Sequence, residues 1–312
     1  MREELTMFEL SVLIPTFNRS KELIENVNTI VGTIGMYDLS DKVEIVISDN
    51  GSSKEHRELI EIAFNESSVV RLFCQEENLG FEKNCVFLMK KAFGKFVMLL
   101  GDDDYISSDY FLHVIELIES GKYVCIIPNC YAVDTDKNAI NHCRDKICDD
   151  KILHKLYDIN YVVKAHQMSG LTFKKEDVIE AYTAAKIVSV YPQIFFLGFN
   201  LLRGDGVHVT RFPIKNTVIK QKNYDYSFDN LFGEVAVSID ALKMDLKSKF
   251  RLELYVVRYN AERFCNRNTL THPIKFTMKV ISKYSVGIMF KSLILCSFFC
   301  AYPKRLFALC NK

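Results

Sequence analysis

Asp102-Asp103-Asp104 follows the apolar run Phe96–Leu100, with only Gly101 between them. Three adjacent carboxylates at the end of a buried run repel one another and lose solvation. Each is pushed toward its neutral form unless a cation offsets the charge. A hard divalent cation, Mg2+ or Mn2+, prefers such oxygen ligands and commonly bridges the phosphates of a substrate. The trio therefore reads as a metal–diphosphate site. The plain alternative is a solvated turn that caps a helix near Ser108. Two more polar clusters end apolar runs in the same way. Thr16-Phe17-Asn18-Arg19 closes the run that begins at Ser11, and Asp49-Asn50-Gly51-Ser52 closes Glu44–Ser48.

The elements that must position these clusters alternate. Ser11–Phe17 predicts a strand. Leu23, Ile24, Val27, Ile30, Val31 and Ile34 then mark one face of a helix, with Ser20 as its N-cap and Glu22 suited to its positive end. Glu44–Ser48 predicts a second strand, Glu55–Phe64 a helix and Val69–Cys74 a third strand. Phe81, Cys85, Leu88, Met89 and Ala92 mark another helix, stopped by Gly94 before the strand Phe96–Leu100. Strand and helix at this spacing predict βαβ units and a mostly parallel α/β sheet. Ligands bind at the carboxyl ends of such strands, so all three polar clusters are expected on one edge. Beyond them, the predicted elements are a strand at Tyr123–Val133, a turn at Asp134–Asn138, a strand at Gly170–Phe173 and a helix at Glu176–Lys186. Pro192–Leu202 predicts a buried helix, Val207–Pro213 a strand and Tyr226–Asn260 a helix.

The chain has 312 residues, 49% of them apolar and 25% charged, with a formal net charge of +1, which excludes a disordered or polytopic membrane class. The charge balance also gives no whole-molecule case for nucleic acid binding. No linker separates the halves, so the expected organisation is a binding and catalytic domain over 1–220 and a helical region over 221–312. Met1–Leu10 carries three Glu and no apolar stretch, which argues against an export signal, and the ten Cys then read as reduced thiols. After Glu262 there is no acid, but Arg263, Arg267, Lys275, Lys279, Lys283, Lys291, Lys304, Arg305 and Lys312 follow. Lys291 divides the apolar stretch Ser285–Pro303, leaving a run of about a dozen residues, short of the ~20 that span a bilayer. Such a tail suits either an interfacial helix on anionic lipid or a core helix with a basic rim. The expected location is the cytoplasm, with the tail able to hold the chain at the inner face of the cell membrane.

Four segments, in this order and spacing, resemble family 2 glycosyltransferases over the first third of the chain. They are Ser11–Arg19 (SVLIPTFNR), Glu44–Ser53 (EIVISDNGSS), Asn78-Leu79-Gly80-Phe81 with Asn84, and Leu99–Asp104 (LLGDDD). The last is similar to a bacterial branch that includes abequosyltransferase-like enzymes of O-antigen and capsule synthesis. Met168–Lys175 is similar to a later strand of that branch. The resemblance implies a GT-A fold, a nucleotide-sugar donor and Mg2+ or Mn2+. By position, it implies that Pro15, Thr16, Phe17 and Asn18 border the nucleotide. Asp49, next to Asn50, would accept a hydrogen bond from the base, assisted by Arg19. Asn78 and Asn84 would line the donor pocket. Asp102 would face the ribose or the metal-bound diphosphate. Asp103 is the first choice of metal ligand, and Asp104 would bind the sugar or complete the metal site.

An inverting transfer also needs a carboxylate that takes the acceptor's proton. In many relatives it lies in an acidic pair at the start of a later helix. Here Tyr191-Pro192-Gln193 stands near that place, without an acid, and Glu176, Asp177 and Asp205 are the alternatives. The implied function is transfer of a sugar from a nucleotide diphosphate to a glycan, with a lipid-linked acceptor of a surface polysaccharide as the expected partner. A non-catalytic nucleotide-sugar- or carbohydrate-binding relative is the other reading. The chain lacks both Gly-x-x-x-x-Gly-Lys and Gly-x-Gly-x-x-Gly, so P-loop and dinucleotide chemistry lose their main support. His142, Cys143, Cys148 and His154 do not have the spacing of a structural zinc site, and His208 reads as a strand histidine rather than a cleft contact.

Overall fold

The computed structural model describes residues 8–218, 228–265, 282 and 287–296. The predicted alternation organises the first half. In chain order it runs β1 (Leu10–Thr16), α1 (Ser20–Met36), β2 (Val43–Asp49), α2 (Lys54–Phe64), β3 (Val70–Cys74), α3 (Phe81–Lys91), β4 (Phe96–Leu99) and α4 (Ser108–Glu119). The second half adds β5 (Cys125–Val133), β6 (Lys151–Leu153), a 3-10 helix (Ile159–His166), β7 (Leu171–Lys174), α5 (Val178–Ala185), α6 (Pro192–Leu201), β8 (Gly206–Thr217), α7 (Phe228–Asp240) and α8 (Leu246–Cys265). The eight strands form one sheet in the order β3-β2-β1-β4-β7-β5-β8-β6. β3, β2, β1 and β4 are mutually parallel, β5 and β8 are a parallel pair, and β7 is antiparallel to both β4 and β5.

Period-two alternation divides the core between the two faces. Leu10, Val12 and Ile14 of β1 pack with Leu23, Val27 and Ile30 of α1 and Val114 and Ile118 of α4. Leu13, one residue out of phase, packs with Leu88 of α3 on the other face. That second cluster continues through Phe195 and Phe196 of α6 to Ala236 of α7 and Val256 of α8. The carboxy-terminal helices thus rest on the sheet through α6.

Several elements differ from expectation. Ser20 begins α1 but does not cap it, because its hydroxyl is held 2.9 Å from His56 Nδ1 on α2. The single helix expected over Tyr226–Asn260 is two, because Asp245 starts a new one by accepting from Ser248 N at 3.0 Å. β8 runs past Pro213 to Thr217. Pro213 falls in the register shift opposite Pro128–Cys130, where no ladder bond is required of it. β6, three residues long, and the eight-residue 3-10 helix are too short to announce themselves.

Of the basic, apolar tail after Glu262, 263–265 at the end of α8, Ser282 and 287–296 are described. A helix at 288–296 turns Phe290 and Ile294 into the core, while Ile288 is exposed. Gly287 N donates to Asp240 Oδ2 at 2.9 Å. The rest of Ser285–Pro303 and most of its cations lie outside the described residues, as does Tyr224-Asp225-Tyr226. No helix among the described residues is long and apolar enough to cross a membrane.

Glu253 is fully buried on α8, and neither carboxylate oxygen has a hydrogen-bond partner among the described residues. Burial pushes its pKa up to about 7, against the opposing pull of Lys249 and with a further push from Asp240. The folded state therefore favours the protonated acid. Its ionisation costs stability as pH rises above the unfolded value near 4.5, and the cost levels off above about 7. Glu253→Gln is expected to stabilise the chain by roughly 1–3 kcal/mol at pH 8 and to change little at pH 4.5. Denaturant melts at the two pH values check this, and an equal effect at both would contradict it.

Candidate active site at the carboxyl edge of the sheet

The parallel register brings the ends of β1, β2 and β4 to one edge. Thr16 is level with Asp49, and Leu13 with Leu99. The loops that follow are tied together. Asn18 adopts a left-handed backbone, φ 54°, which asparagine tolerates better than most residues. There its N–H donates to Ser52 Oγ at 2.8 Å, and its Oδ1 accepts from Ser53 N at 2.9 Å. Asn50 Nδ2 donates to Asn78 Oδ1 at 3.1 Å, and Asn50 Oδ1 accepts from Leu79 N at 2.9 Å. Beneath them, Ser48 Oγ donates to Asn84 Oδ1 at 2.6 Å. Pro15 lies in β1, and Phe17 projects from the edge, 41% exposed.

Asp49 is fully buried at the end of β2. Its carboxylate accepts from Ser52 N and Arg57 Nε at 3.3 Å, long bonds that leave acceptor capacity. Arg57, from α2, also donates to the Gln75 carbonyl at 2.5 Å. Gly51 turns the loop at φ +77°, and a Cβ there would lie 2.5 Å from the Glu77 carbonyl carbon. Gly51→Ala is therefore expected to destabilise the chain by roughly 2–4 kcal/mol and to displace the Asn50–Asn78 contact. A denaturant melt of the variant checks the loss of stability.

The three aspartates have distinct surroundings. Asp102 is buried; its Oδ2 accepts from Thr16 Oγ1 at 2.8 Å and its Oδ1 from Arg19 Nη1 at 3.1 Å. The same Nη1 lies 2.7 Å from Asp103 Oδ2, an ion-pair distance without hydrogen-bond alignment, so that buried oxygen has no hydrogen-bond partner. Asp104 is saturated by the protein. Its Oδ2 accepts from Ser169 Oγ at 2.5 Å and Asn216 Nδ2 at 2.9 Å, and its Oδ1 from Thr217 N at 2.8 Å. Burial and then the charge of Asp103 push Asp102 up to about 7, although Arg19 and Thr16 oppose the shift. The same two causes push Asp104 up to about 6 against its three hydrogen-bond donors. Among the described residues, Arg19 is the cation paired with Asp102 and Asp103.

These residues fit a divalent cation in a limited way. Among the described residues no group of three or more His, Cys, Asp or Glu side chains could hold an ion alone. Mg2+ does not need such a cage, because one or two carboxylates and substrate phosphates commonly suffice. Asp103, with its orphaned Oδ2, and Asp102 beside it have the hard oxygens required. Both Asp102 and Asp104 have their oxygens engaged, Asp102 by Thr16 and Arg19, and Asp104 by three donors from Ser169, Asn216 and Thr217.

The alternatives for a proton-accepting acid lie elsewhere. β7 runs away from the edge, from Leu171 level with Leu99 to Lys174 level with Phe96. Glu176 and Asp177 follow Lys174, and Asp205 stands beside Val124 at the start of β5. All three are on the opposite edge, roughly 20 Å from Asp103 by strand rise. Asp177 is also engaged by Arg203 at 2.9 Å, and Asp205 accepts from Lys155 N at 2.8 Å. The sequence could not show this, because it does not tell which way β7 runs. His208 is buried in β8 with Nδ1 2.9 Å from the Ile127 carbonyl and Nε2 3.2 Å from Asp145.

Tyr191-Pro192-Gln193 does reach the edge that bears the three aspartates. α5 climbs back, so that Tyr182 Oη donates to Glu82 Oε1 at 2.8 Å near the start of α3. α6 then descends until Asn200 Nδ2 donates to the Lys174 carbonyl at 3.2 Å. Its first turn holds no acid; Gln193 is buried with Oε1 unpartnered. A carboxylate recorded beside it is Glu234 of α7, whose Oε2 accepts from Val190 N at 3.2 Å. Sequence reasoning singled out neither Glu234 nor Arg57, and no local pattern distinguishes them from other helix-surface charges.

Residues 11–178 match the model of Glycosyl transferase family 2. Abequosyltransferase RfbV of Salmonella typhimurium is 26% identical over 207 residues, 60% of this chain and 60% of that protein. A Campylobacter jejuni GalNAc(5)-diNAcBac-PP-undecaprenol beta-1,3-glucosyltransferase is 30% identical over 125 residues, 40% of this chain and 38% of that protein. The chain therefore spans three fifths or less of the length of these curated relatives. The fold is similar to that of S. aureus TarS 1-349, with a TM-score of 0.61 at 16% identity over 97% of this chain and 83% of that one. The crystal structure of that protein in complex with UDP-GlcNAc gives a TM-score of 0.63 at 16% identity, covering 97% and 84%.

Proposed function

The chain belongs to glycosyl transferase family 2, and from that premise we propose that it moves a sugar from a nucleotide-diphosphate-sugar to a glycan acceptor. The observation that carries the reading is the paired Asp102 and Asp103 carboxylates at the same edge as Asp49, with Arg19 as the single cation recorded on them. Such an edge has oxygen ligands for a metal and a guanidinium for phosphate oxygens.

In this proposal Pro15, Thr16, Phe17 and Asn18 border the nucleotide. Asp49, held by Arg57, accepts from the base, and Asn50, Asn78 and Asn84 shape the donor pocket. Asp102 orients the diphosphate end, and Asp103 is the metal ligand. Asp104 fixes the floor by joining Gly101–Asp104 to Ser169 and Thr217. Mg2+ or Mn2+, when bound, would offset the charge that develops on the departing nucleoside diphosphate. Glu234, beside the α6 N-terminus, takes the acceptor's proton, a role left open by Tyr191-Pro192-Gln193.

The acceptor we propose is a lipid-linked oligosaccharide of bacterial surface polysaccharide synthesis. The name of the Campylobacter relative, a glucosyltransferase of a PP-undecaprenol-linked glycan, supports that class. Contact with the cytoplasmic membrane surface then follows from the basic tail. Sedimentation with anionic and neutral vesicles tests it, and equal partition would remove that part of the proposal.

Incubating the chain with a panel of nucleotide-sugars, Mn2+ and undecaprenyl-diphosphate-linked glycans tests the activity, with mass spectrometry of the lipid fraction as the readout. The expected product is an acceptor heavier by one sugar. Donor binding without any product would favour the second reading, a binding relative without turnover. The acid-free first turn of α6 is the observation that supports this alternative.

A further inference from the structure

We infer that Arg19 is an exchangeable internal cation: it holds Asp102 and Asp103 in the ligand-free chain and moves to the diphosphate when a divalent ion takes those carboxylates. The inference rests on the proposed donor site and adds an order of events to it.

The contacts support exchange rather than a fixed structural role. Arg19 Nη1 is 3.1 Å from Asp102 Oδ1 and 2.7 Å from Asp103 Oδ2, so a single nitrogen is shared between two carboxylates. No second, parallel bond to either carboxylate is recorded, although guanidinium can form one when the geometry is final. Asp103 Oδ2 is buried and receives no aligned bond, so its interaction with Arg19 is electrostatic only. The Arg19 side chain remains 31% exposed, whereas the carboxylates are 9% and 11% exposed. The cation is therefore the mobile partner. It stands at the N-cap of α1 without a side-chain capping bond, so moving it breaks no helix cap.

A divalent ion cannot share the same pair of oxygens with a guanidinium less than 4 Å away without strong repulsion. Metal binding to the free chain must displace Arg19 into solvent. A bound diphosphate removes that penalty, because its oxygens offer the guanidinium a bidentate anionic partner next to the ion. Metal and nucleoside diphosphate should then each raise the other's affinity by the same factor. Arg19 acts here as a positioning residue, setting when the metal enters. Asn18 and Ser52 anchor the loop that bears it, so the side chain can move while the backbone stays in place.

The test is an electron paramagnetic resonance titration of Mn2+ alone into the full chain and into Arg19→Gln, without nucleotide. A residue needed only for structure would lower metal binding when removed. This inference predicts a gain: Arg19→Gln binds Mn2+ tighter by roughly tenfold or more, within the range usual for coupled sites. Arg19→Lys keeps a cation and stays near wild type. Arg19→Met, which retains the apolar stem without charge, repeats the gain and serves if the Gln variant fails to fold. The double variant Arg19→Gln, Asp103→Asn loses it. Unchanged or weaker Mn2+ binding in the neutral variants, or a gain that survives in the double variant, would overturn the inference. Failure of the glycosyltransferase reading would look different: no nucleoside diphosphate would bind the wild type, with or without Mn2+, whatever the Arg19 variants do.

Discussion

Asp103→Asn is expected to lower sugar transfer by roughly a hundred- to a thousandfold while the melting temperature holds or rises. The size follows from removing a group that stabilises charge at the departing diphosphate. The separation of activity from stability follows from the contacts. Asp103 Oδ2 has no hydrogen-bond partner to lose, and Thr217 Oγ1 bonds to the Asp103 backbone carbonyl, which the substitution keeps. Against the lost attraction to Arg19 stands the relief of Asp102 and Asp104, both of which the Asp103 charge pushes toward protonation. Initial rates at saturating donor, set beside a thermal melt of the same preparation, check the two halves. A variant that loses activity only because it melts early would contradict the assignment of Asp103 to the chemistry.

Asp104→Ala is expected to show the reverse pattern, in which stability falls first. Its side chain accepts from Ser169 Oγ, Asn216 Nδ2 and Thr217 N, which joins the β4 loop to the segment before β7 and to the end of β8. Truncation leaves these donors without an acceptor in a mostly buried place. The cost is about 3–5 kcal/mol, as for breaking a buried charged network on one side. A fall in melting temperature of about 10 °C follows. Asp104→Asn, which keeps one acceptor oxygen and ends the repulsion with Asp103, is expected to cost less. Denaturant unfolding of both variants measures the difference. An Ala variant as stable as wild type would remove Asp104 from its structural role and return it to the metal.

These contrasts show what was legible in the chain. Strand ends carry their own signal, because an apolar run stops at a polar cluster. Thr16, Asp49 and Asp102 could therefore be placed on one edge before any contact was known. The family resemblance at those same residues named the chemistry. Partners that arrive from far along the chain carry no such signal. Ser169 and Thr217 reach Asp104 across 65 and 113 positions. Their identities as Ser and Thr say nothing about that meeting.

Arg19 shows a different limit. The family resemblance implied that it assists Asp49 at the base. After left-handed Asn18 its recorded ion pairs are with Asp102 and Asp103, and Arg57 of α2 is the cation recorded on Asp49. Strand direction was the other hidden quantity. A short strand such as Leu171–Lys174 reads the same in either sense. Only its antiparallel pairing with β4 shows that Glu176 and Asp177 leave the site rather than enter it. The second half was harder throughout, because α6 is apolar on all sides and β6 is three residues long.

The central claim is that Asp103 and its neighbours form a metal-dependent site for a nucleotide diphosphate. Calorimetric titration of nucleoside diphosphates and nucleotide-sugars into wild type and Asp103→Asn, with and without Mn2+, tests it most directly. The predicted result is tight binding of one nucleotide class by the wild type in Mn2+, at least about tenfold weaker binding without the ion, and loss of that metal dependence in the variant. Equal binding by both proteins, or no binding of any nucleotide by the wild type, would contradict it.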